Sequence, residues 1–538
     1  MICYNPIYME SPIPEQSANR KIARAALTVM AAFIFSSLVG LLRSTVIANA
    51  FGTTADLDSF YSANRITELL FNLVAGGALA SAFIPTFTGF LTTDDKPGAW
   101  RLASAVVNLV LVVLIAISLL AALLAPQIVD HVLFLLDPGA QITQRELTIS
   151  LLRTMLPSVA IFGVSGLLMG ILNANQVFLV PAIAPAMYSL GMMLGTWLLA
   201  PTLGIQGLAL GTVLGAGLHL LIQVPALVRL KGRRYFLSLG LNNPAVKEVV
   251  QLMAPRLLGV AVVQINFIIN TIIAFGQPDG SVSAITFAFT LLMMPEMTIA
   301  QSIAIASLPT FSEQVALGRR NEMRASLAVT LRSVLFLAVP ASIGLILLRR
   351  PLIVFLFQHG IFDSHSTDMV SWALLFYAAG LVAHSVVEIV SRAFYALHDT
   401  RTPVMVGVVA MSINVGLSFG FSALFASLGW MPHGGLALAN TTATFLEMGA
   451  LLVLMRRKLE GLQERRVWAG FGQAALGTLV MGLVISGWLA VTSGQHEIIT
   501  AVGGVVLGGG IYALMTMLMR VPELVSLWGA VRKRLGLR

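Results

Sequence analysis

Apolar stretches of about 20 residues, enough to cross a hydrocarbon core roughly 30 Å thick, recur fourteen times along this chain. They fall near 22–51, 57–88, 99–125, 148–173, 178–200, 204–228, 248–276, 283–311, 328–357, 367–395, 402–427, 434–456, 467–492 and 498–520. Only 11% of the residues are charged and 57% are hydrophobic, against roughly 25% charged in soluble domains. The pattern predicts an all-α polytopic membrane protein. The segment 126–147 has room for a short interfacial helix, and the polar residues 1–19, with Pro12 and Pro14, read as a disordered cytoplasmic tail rather than a signal peptide.

Basic residues set the expected orientation. Arg20, Lys21 and Arg24 precede the first span, and Arg229, Lys231, Arg233 and Arg234 follow the sixth. Arg456, Arg457, Lys458, Arg465 and Arg466 follow the twelfth, and Arg532, Lys533, Arg534 and Arg538 end the chain. The alternate loops carry Asp56, Asp58, Asp130, Asp279, Asp363 and Asp368, with Arg145, Arg349 and Arg350 as exceptions. Positive charge collects on the cytoplasmic side, so fourteen spans with both termini cytoplasmic are predicted. The net charge of +9 is accounted for in this way and implies no nucleic-acid partner.

An internal repeat organises the spans. Ile84-Pro-Thr-Phe-Thr88 recurs as Leu308-Pro-Thr-Phe-Ser312, and Ala125-Pro-Gln-Ile-Val129 as Arg350-Pro-Leu-Ile-Val354, at offsets of 224 and 225. Ala174 and Pro181 recur as Ala396 and Pro403, and Gly207-Leu-Ala-Leu-Gly211 as Gly435-Leu-Ala-Leu-Ala439, at 222 and 228. Six spans separate the copies, so the halves share one topology and place a substrate site between them. The expected division is an N-lobe over 20–228, a cytoplasmic linker over 229–247 and a C-lobe over 248–457. Two further spans and a basic tail follow over 458–538.

Several chemistries find no support. No phosphate-loop or zinc-binding motif is present, Cys3 is the single cysteine, and no nucleophile–base arrangement stands out. The sequence therefore points away from an enzyme, a metal site or a cofactor. The glycine run 503–510 lies within the last span, where it suits close helix packing.

Charge inside the spans is the remaining signal, because an ionised group at the helix centre costs about 2.5–3.5 kcal/mol on insertion scales. Arg43 lies within the first span. Asn64, Glu68 and Asn72 form a polar stripe on the second, with Arg65 three residues before Glu68. Arg256, Gln264 and Asn270 lie on the seventh, and Glu296 follows Pro295 on the eighth, which predicts a kink with a carboxylate beside it. These residues are expected to line a central cavity suited to an anionic, lipid-linked substrate. Arginine's planar fork matches the paired oxygens of a diphosphate. On the tenth span His384, Glu388 and Arg392 step by four, as a coupling network or a structural one would.

The residues also resemble a known family, the MurJ/MviN lipid II flippases of the MOP exporter superfamily. Similar segments include Leu38-Val-Gly-Leu-Leu-Arg43, Ala50-Phe-Gly52, Asp58-Ser-Phe60, Ala82-Phe-Ile-Pro85 and Ile171-Leu-Asn173. Gln264-Ile-Asn-Phe-Ile-Ile-Asn-Thr271, Leu356-Phe-Gln-His-Gly-Ile-Phe362 and the 394–403 segment continue the match in order. The resemblance implies fourteen helices in two six-helix lobes around a cationic cavity, with the last two helices extending a groove for a lipid tail. It implies alternating-access movement of an undecaprenyl-diphosphate-linked peptidoglycan precursor to the outer face of the bacterial cytoplasmic membrane, driven by membrane potential or an ion gradient. Membrane lipids and peptidoglycan-synthesis proteins are the implied partners. Arg43, Asp58 and Arg65 match the family pattern, and Asp58 joins the expected substrate-binding set on that ground. Ser37, Phe71 and Thr290 stand where the family carries arginine, and Gly76 where it carries an acid. Two alternatives are therefore open: export of another polyprenyl-diphosphate-linked glycan or amphiphile, or a transport-inactive scaffold or regulator of the cell envelope.

Overall fold

The computed structural model describes residues 35–74, 77–136 and 142–521, with side chains for all of these except 73–74, 77–82, 254–259 and 262. Among the described residues every regular element is a helix. In chain order they are α1 (Phe35–Phe51), α2 (Ala55–Val74), α3 (Gly77–Thr92), α4 (Lys96–Leu123) and α5 (Ile142–Ala174). Then come α6 (Leu179–Leu203), α7 (Ile205–Val228), α8 (Pro244–Phe275), α9 (Ser281–Ala316) and α10 (Arg320–Phe357). The chain ends with α11 (Ser364–Ala396), α12 (Arg401–Ser427), α13 (His433–Leu459), α14 (Glu464–Val491) and α15 (Glu497–Leu518). Eleven described helices are long and apolar enough to cross a membrane. The shorter apolar segments Phe35–Phe51, Phe83–Thr92 and Val263–Phe275 overlap the three remaining expected spans, the second running past its expected end at residue 88. The protein is a multi-pass membrane protein.

The repeat seen in the sequence reappears as a repeat of packing neighbours. In the first half α5 packs on α2, α4 and α7, and α6 packs on α7. In the second half α11 packs on α9, α10 and α13, and α12 packs on α13. Each pair in one lobe thus has its counterpart in the other. The added helices α14 and α15 pack on each other and on α10, so they extend the C-terminal lobe. Small residues make the tightest of these contacts. Gly191 and Gly195 on α6 face Gly215 and Gly211 on α7, so closely that a β-carbon on Gly191 would lie 2.1 Å from the Gly215 Cα. Without a hydrophobic drive between helices in lipid, such backbone approach maximises dispersion contact.

The 126–147 segment holds a short helix, Ala125–Ile128, that runs into a π-helical turn over Val129–Leu133. The kink expected at Pro295 is also a π-helical turn, Glu296–Gln301. One extra residue per turn frees backbone groups there, and such turns recur at functional sites.

Three sets of contacts hold the lobes together at the end carrying residues 49–58. Asp58 is 4% exposed and accepts hydrogen bonds from Gly280 N and Ser283 N at 2.7 Å and from Ser283 Oγ at 2.6 Å. It therefore caps the first turn of α9 across the interface. Beside it Thr53 Oγ1 donates to Ser366 Oγ at 2.9 Å, and Ile361 N donates to Asn49 O at 2.9 Å.

Candidate functional site

A cavity of about 260 Å3 lies between the lobes. Arg43 on α1, and Tyr61, Asn64, Arg65 and Glu68 on α2, form its N-lobe wall, with Tyr188 and Met192 on α6. The facing wall comes from α8, α9, α11 and α13: Asn266, Asn270, Thr286, Thr290, Tyr377 and Asn440 among others. Among the described residues every charged side chain lining it belongs to the N-lobe, and two arginines against one glutamate leave a formal +1 there.

The two arginines differ in their surroundings. Arg65 Nη1 donates to Glu68 Oε2 at 2.8 Å, and its guanidinium lies 5.1 Å from the centre of the Phe267 ring on α8. Asn64 Nδ2 donates to the other oxygen, Glu68 Oε1, at 2.9 Å. Arg65 and Glu68, three residues apart on α2, thus form an ion pair. Arg43 has no carboxylate within reach among the described residues. Its Nη1 meets only the Met192 sulfur at 4.0 Å, and its Nε is buried with no hydrogen-bond partner. The residue as a whole is half-buried, and a cation partly withdrawn from water with no counter-charge is disfavoured, which an anionic ligand in the cavity would offset.

The C-lobe wall is polar, neutral and cross-braced. Asn266 and Asn270 donate to Asn414 Oδ1 at 3.1 and 2.9 Å, and Ser418 Oγ donates to Asn270 Oδ1 at 2.9 Å. These bonds fix α8 against α12 and hold the two amides in place.

The remaining expected site residues fall elsewhere. Asp58 sits in the cap of α9, away from the cavity lining. Gln264 is partly buried on α8 and does not line it. Glu296 is 6% exposed, with Oε2 buried and unpartnered. Its charged neighbours are Glu388 and Arg392, so it belongs with the α11 row inside the C-lobe. There Arg392 Nη2 donates to Glu388 Oε1 at 2.6 Å, and His384 Nε2 lies 3.1 Å from Asn440 Oδ1. Because Asn440 lines the central cavity, that row reaches it through one amide. The Arg256 side chain lies outside the described residues. Of the positions where the family carries arginine, Thr290 lines the central cavity.

Two further cavities are formed by the described residues, the first of them adjoining the interlobe space through Asn64, Glu68 and Tyr188. One of about 370 Å3 lies inside the N-lobe, lined by Asn64, Glu68, Phe71, Asn72, Tyr188, His219 and neighbours. The third stripe residue, Asn72, opens there and not onto the interlobe space. The other, about 380 Å3 and almost wholly apolar, runs between α10, α11, α13 and α14. Arg456 and Glu464, 2.8 Å apart, stand at its edge.

The sequence reading missed Tyr61, Tyr188 and Asn440. Tyr61 carried a signal, since it precedes Asn64 by three residues and so continues the stripe by one turn.

Comparison with known proteins decides the family. A profile described as "Lipid II flippase MurJ" matches residues 47–507. The chain belongs to the MurJ family of lipid II flippases. It is 30% identical to the lipid II flippase MurJ of Burkholderia cenocepacia over 476 residues, covering 87% of this chain and 90% of that protein. It is 29% identical to the probable lipid II flippase MurJ of Vibrio cholerae serotype O1 over 524 residues, covering 94% and 98%. A solved structure titled as the inward closed conformation of lipid II flippase MurJ shares the fold, with a TM-score of 0.77 and 23% identity over 92% of this chain and 99% of that one. An inward-facing MATE family transporter of the MOP superfamily has a TM-score of 0.66 at 15% identity, covering 82% and 99%. The MurJ family is one of transporters, not of catalysts.

Proposed function

We propose that this chain moves lipid II from the inner to the outer face of the cytoplasmic membrane by alternating access, with the diphosphate linkage held in the interlobe cavity. The observation that carries this reading is Arg43, which faces the space between the lobes with no carboxylate among the described residues to neutralise it. A cavity with one free arginine and one at a lobe seam suits a charge that both lobes must enclose in turn. The apolar groove beside α14 supplies a surface on which a polyprenyl tail can lie while the headgroup is in the polar space. The moving units in this reading are residues 20–228 and 248–457, joined by 229–247, with both termini on the cytoplasmic side. Protein partners from peptidoglycan synthesis fit the same reading.

The row of His384, Glu388 and Arg392, together with Glu296, is proposed to couple transport to an ion gradient. The scaffold alternative loses its motive, because a transport-inactive chain gains nothing from an uncompensated arginine in a cavity.

The test is exposure of lipid II at the outer face in cells depleted of other flippases. Arg43→Ala is expected to abolish exposure while normal amounts of protein stay in the membrane. Arg43→Lys should restore it in part, because a point charge cannot make paired contacts. Undiminished exposure with Arg43→Ala sinks the anchor role.

A further inference from the structure

Among the described residues Glu68 is the one charged side chain that the interlobe cavity and the N-lobe cavity share in their linings. It borders about 260 Å3 of space on one side and about 370 Å3 on the other. Both of its oxygens are engaged, Oε2 toward the interlobe side by Arg65 at 2.8 Å and Oε1 at 2.9 Å by Asn64, which lines both cavities. The Arg65 guanidinium is held against Phe267 of the opposite lobe, which fixes it at the seam. Arg43, by contrast, is free of any such partner.

A diphosphate brings about two negative charges into a space of low dielectric, where each needs a cation. Two arginines are at hand, but one is already neutralised. A ligand anion placed beside the intact Arg65–Glu68 pair would meet like charge at close range, which is strongly unfavourable away from bulk water.

We infer that Glu68 is an internal counter-anion for Arg65, one that gives way to the diphosphate of the substrate. The carboxylate turns into the N-lobe cavity, where Thr67, Asn72, Thr212 and His219 offer polar surface. Arg65 is then released to complete a two-arginine clamp with Arg43. The empty transporter keeps its second cation masked, and only a ligand able to outcompete a tethered carboxylate engages both. Glu68 is in this sense a specificity-determining residue, acting through Arg65. The inference rests on the diphosphate reading of the cavity.

The experiment is binding of undecaprenyl diphosphate and of uncharged undecaprenol to the purified full-length protein in lipid nanodiscs. Glu68→Gln keeps an acceptor for Asn64 and removes the competing charge. It is expected to tighten undecaprenyl diphosphate about fivefold, the weight of a partly exposed ion pair, and to leave undecaprenol unchanged. In the wild type, infrared difference spectra on adding undecaprenyl diphosphate should show a carboxylate band shift that Glu68→Gln lacks. Unchanged or weaker diphosphate binding by Glu68→Gln, or no carboxylate shift in the wild type, overturns the inference. Failure of the parent reading looks different: Arg43→Ala would then bind the diphosphate as well as the wild type does.

Discussion

Gly360 approaches Asn49 so closely that a β-carbon on it would lie 2.4 Å from the Asn49 carbonyl oxygen. The same carbonyl accepts the Ile361 amide at 2.9 Å, so the lobes are joined there through backbone. Gly360 also has φ +60, a region costing other residues roughly 1–2 kcal/mol.

Gly360→Ala should therefore part the lobes at this end. With Cys3 replaced by serine and Asn64 replaced by cysteine, a polar thiol reagent applied from the face carrying residues 358–363 should label the cavity faster in Gly360→Ala. Equal labelling rates would mean that Asn49 yields without the interface opening.

Asp58 makes a different prediction from that of a ligand-binding acid. Its three accepted hydrogen bonds all come from residues 280–283, so Asp58→Asn loses a charged cap worth about 1–2 kcal/mol. A thermal midpoint lower by about 1–2 °C is expected for a chain of this length, with undecaprenyl diphosphate binding retained. Lost binding at unchanged stability would return Asp58 to the cavity set.

The C-lobe row is tested by its response to a gradient. Glu296→Gln and Glu388→Gln should leave lipid II movement in liposomes but remove its dependence on an imposed pH difference. If the dependence persists in both, the row is structural.

Asp399 offers a pH signature outside the spans. Lys458 Nζ lies 2.5 Å from its Oδ2, and Thr402 donates through N at 3.0 Å and Oγ1 at 2.8 Å. These donors, Lys458 foremost, hold the carboxyl down from 3.8 to about 2. A folded value below the unfolded one means stability that is present above about pH 4 and fades as pH falls toward 2. Lys458 is 37% exposed, so the pair is worth less than about 1 kcal/mol. Thermal unfolding should separate wild type and Asp399→Asn slightly near pH 7, with the gap closing below about pH 4.

Much of this fold could be read from spacing alone. Span positions followed from hydropathy, and the repeated motifs foretold the duplicated neighbours of α5 and α11. Arg43, Asn64, Arg65 and Glu68 share one lining, as charge at membrane depth has few places to go. Other residues resisted because periodicity places a side chain on its own helix and says nothing of the neighbour. Eight residues turn a helix through about 80° beyond two full circles, so Asn72 lines the N-lobe cavity alone whereas Asn64 lines both cavities. Asp58 lies in the first turn of α2, where an acid ordinarily serves its own helix, yet it serves α9. Glu296 follows Pro295 as expected, but the π-helical turn at 296–301 and the packing of α9 on α11 bring it to Glu388 and Arg392.

The stretch between the lobes is shorter in effect than its sequence suggests. Asn108 on α4 donates to Phe236 O at 3.0 Å and to Ser238 O at 2.9 Å, and Ser104 Oγ accepts from Phe236 N at 3.1 Å. Gly240 then lies so close to α4 that a β-carbon would come within 2.6 Å of the Ala105 Cβ, and α8 begins at Pro244. Fifteen free residues would span about 50 Å, but the four steps from Gly240 to Pro244 reach only about 14 Å. The connection is a short leash stapled to the first lobe. At that face the lobes can swing apart by no more than its slack, so the stroke of the transporter is limited by two side chains on α4, Ser104 and Asn108.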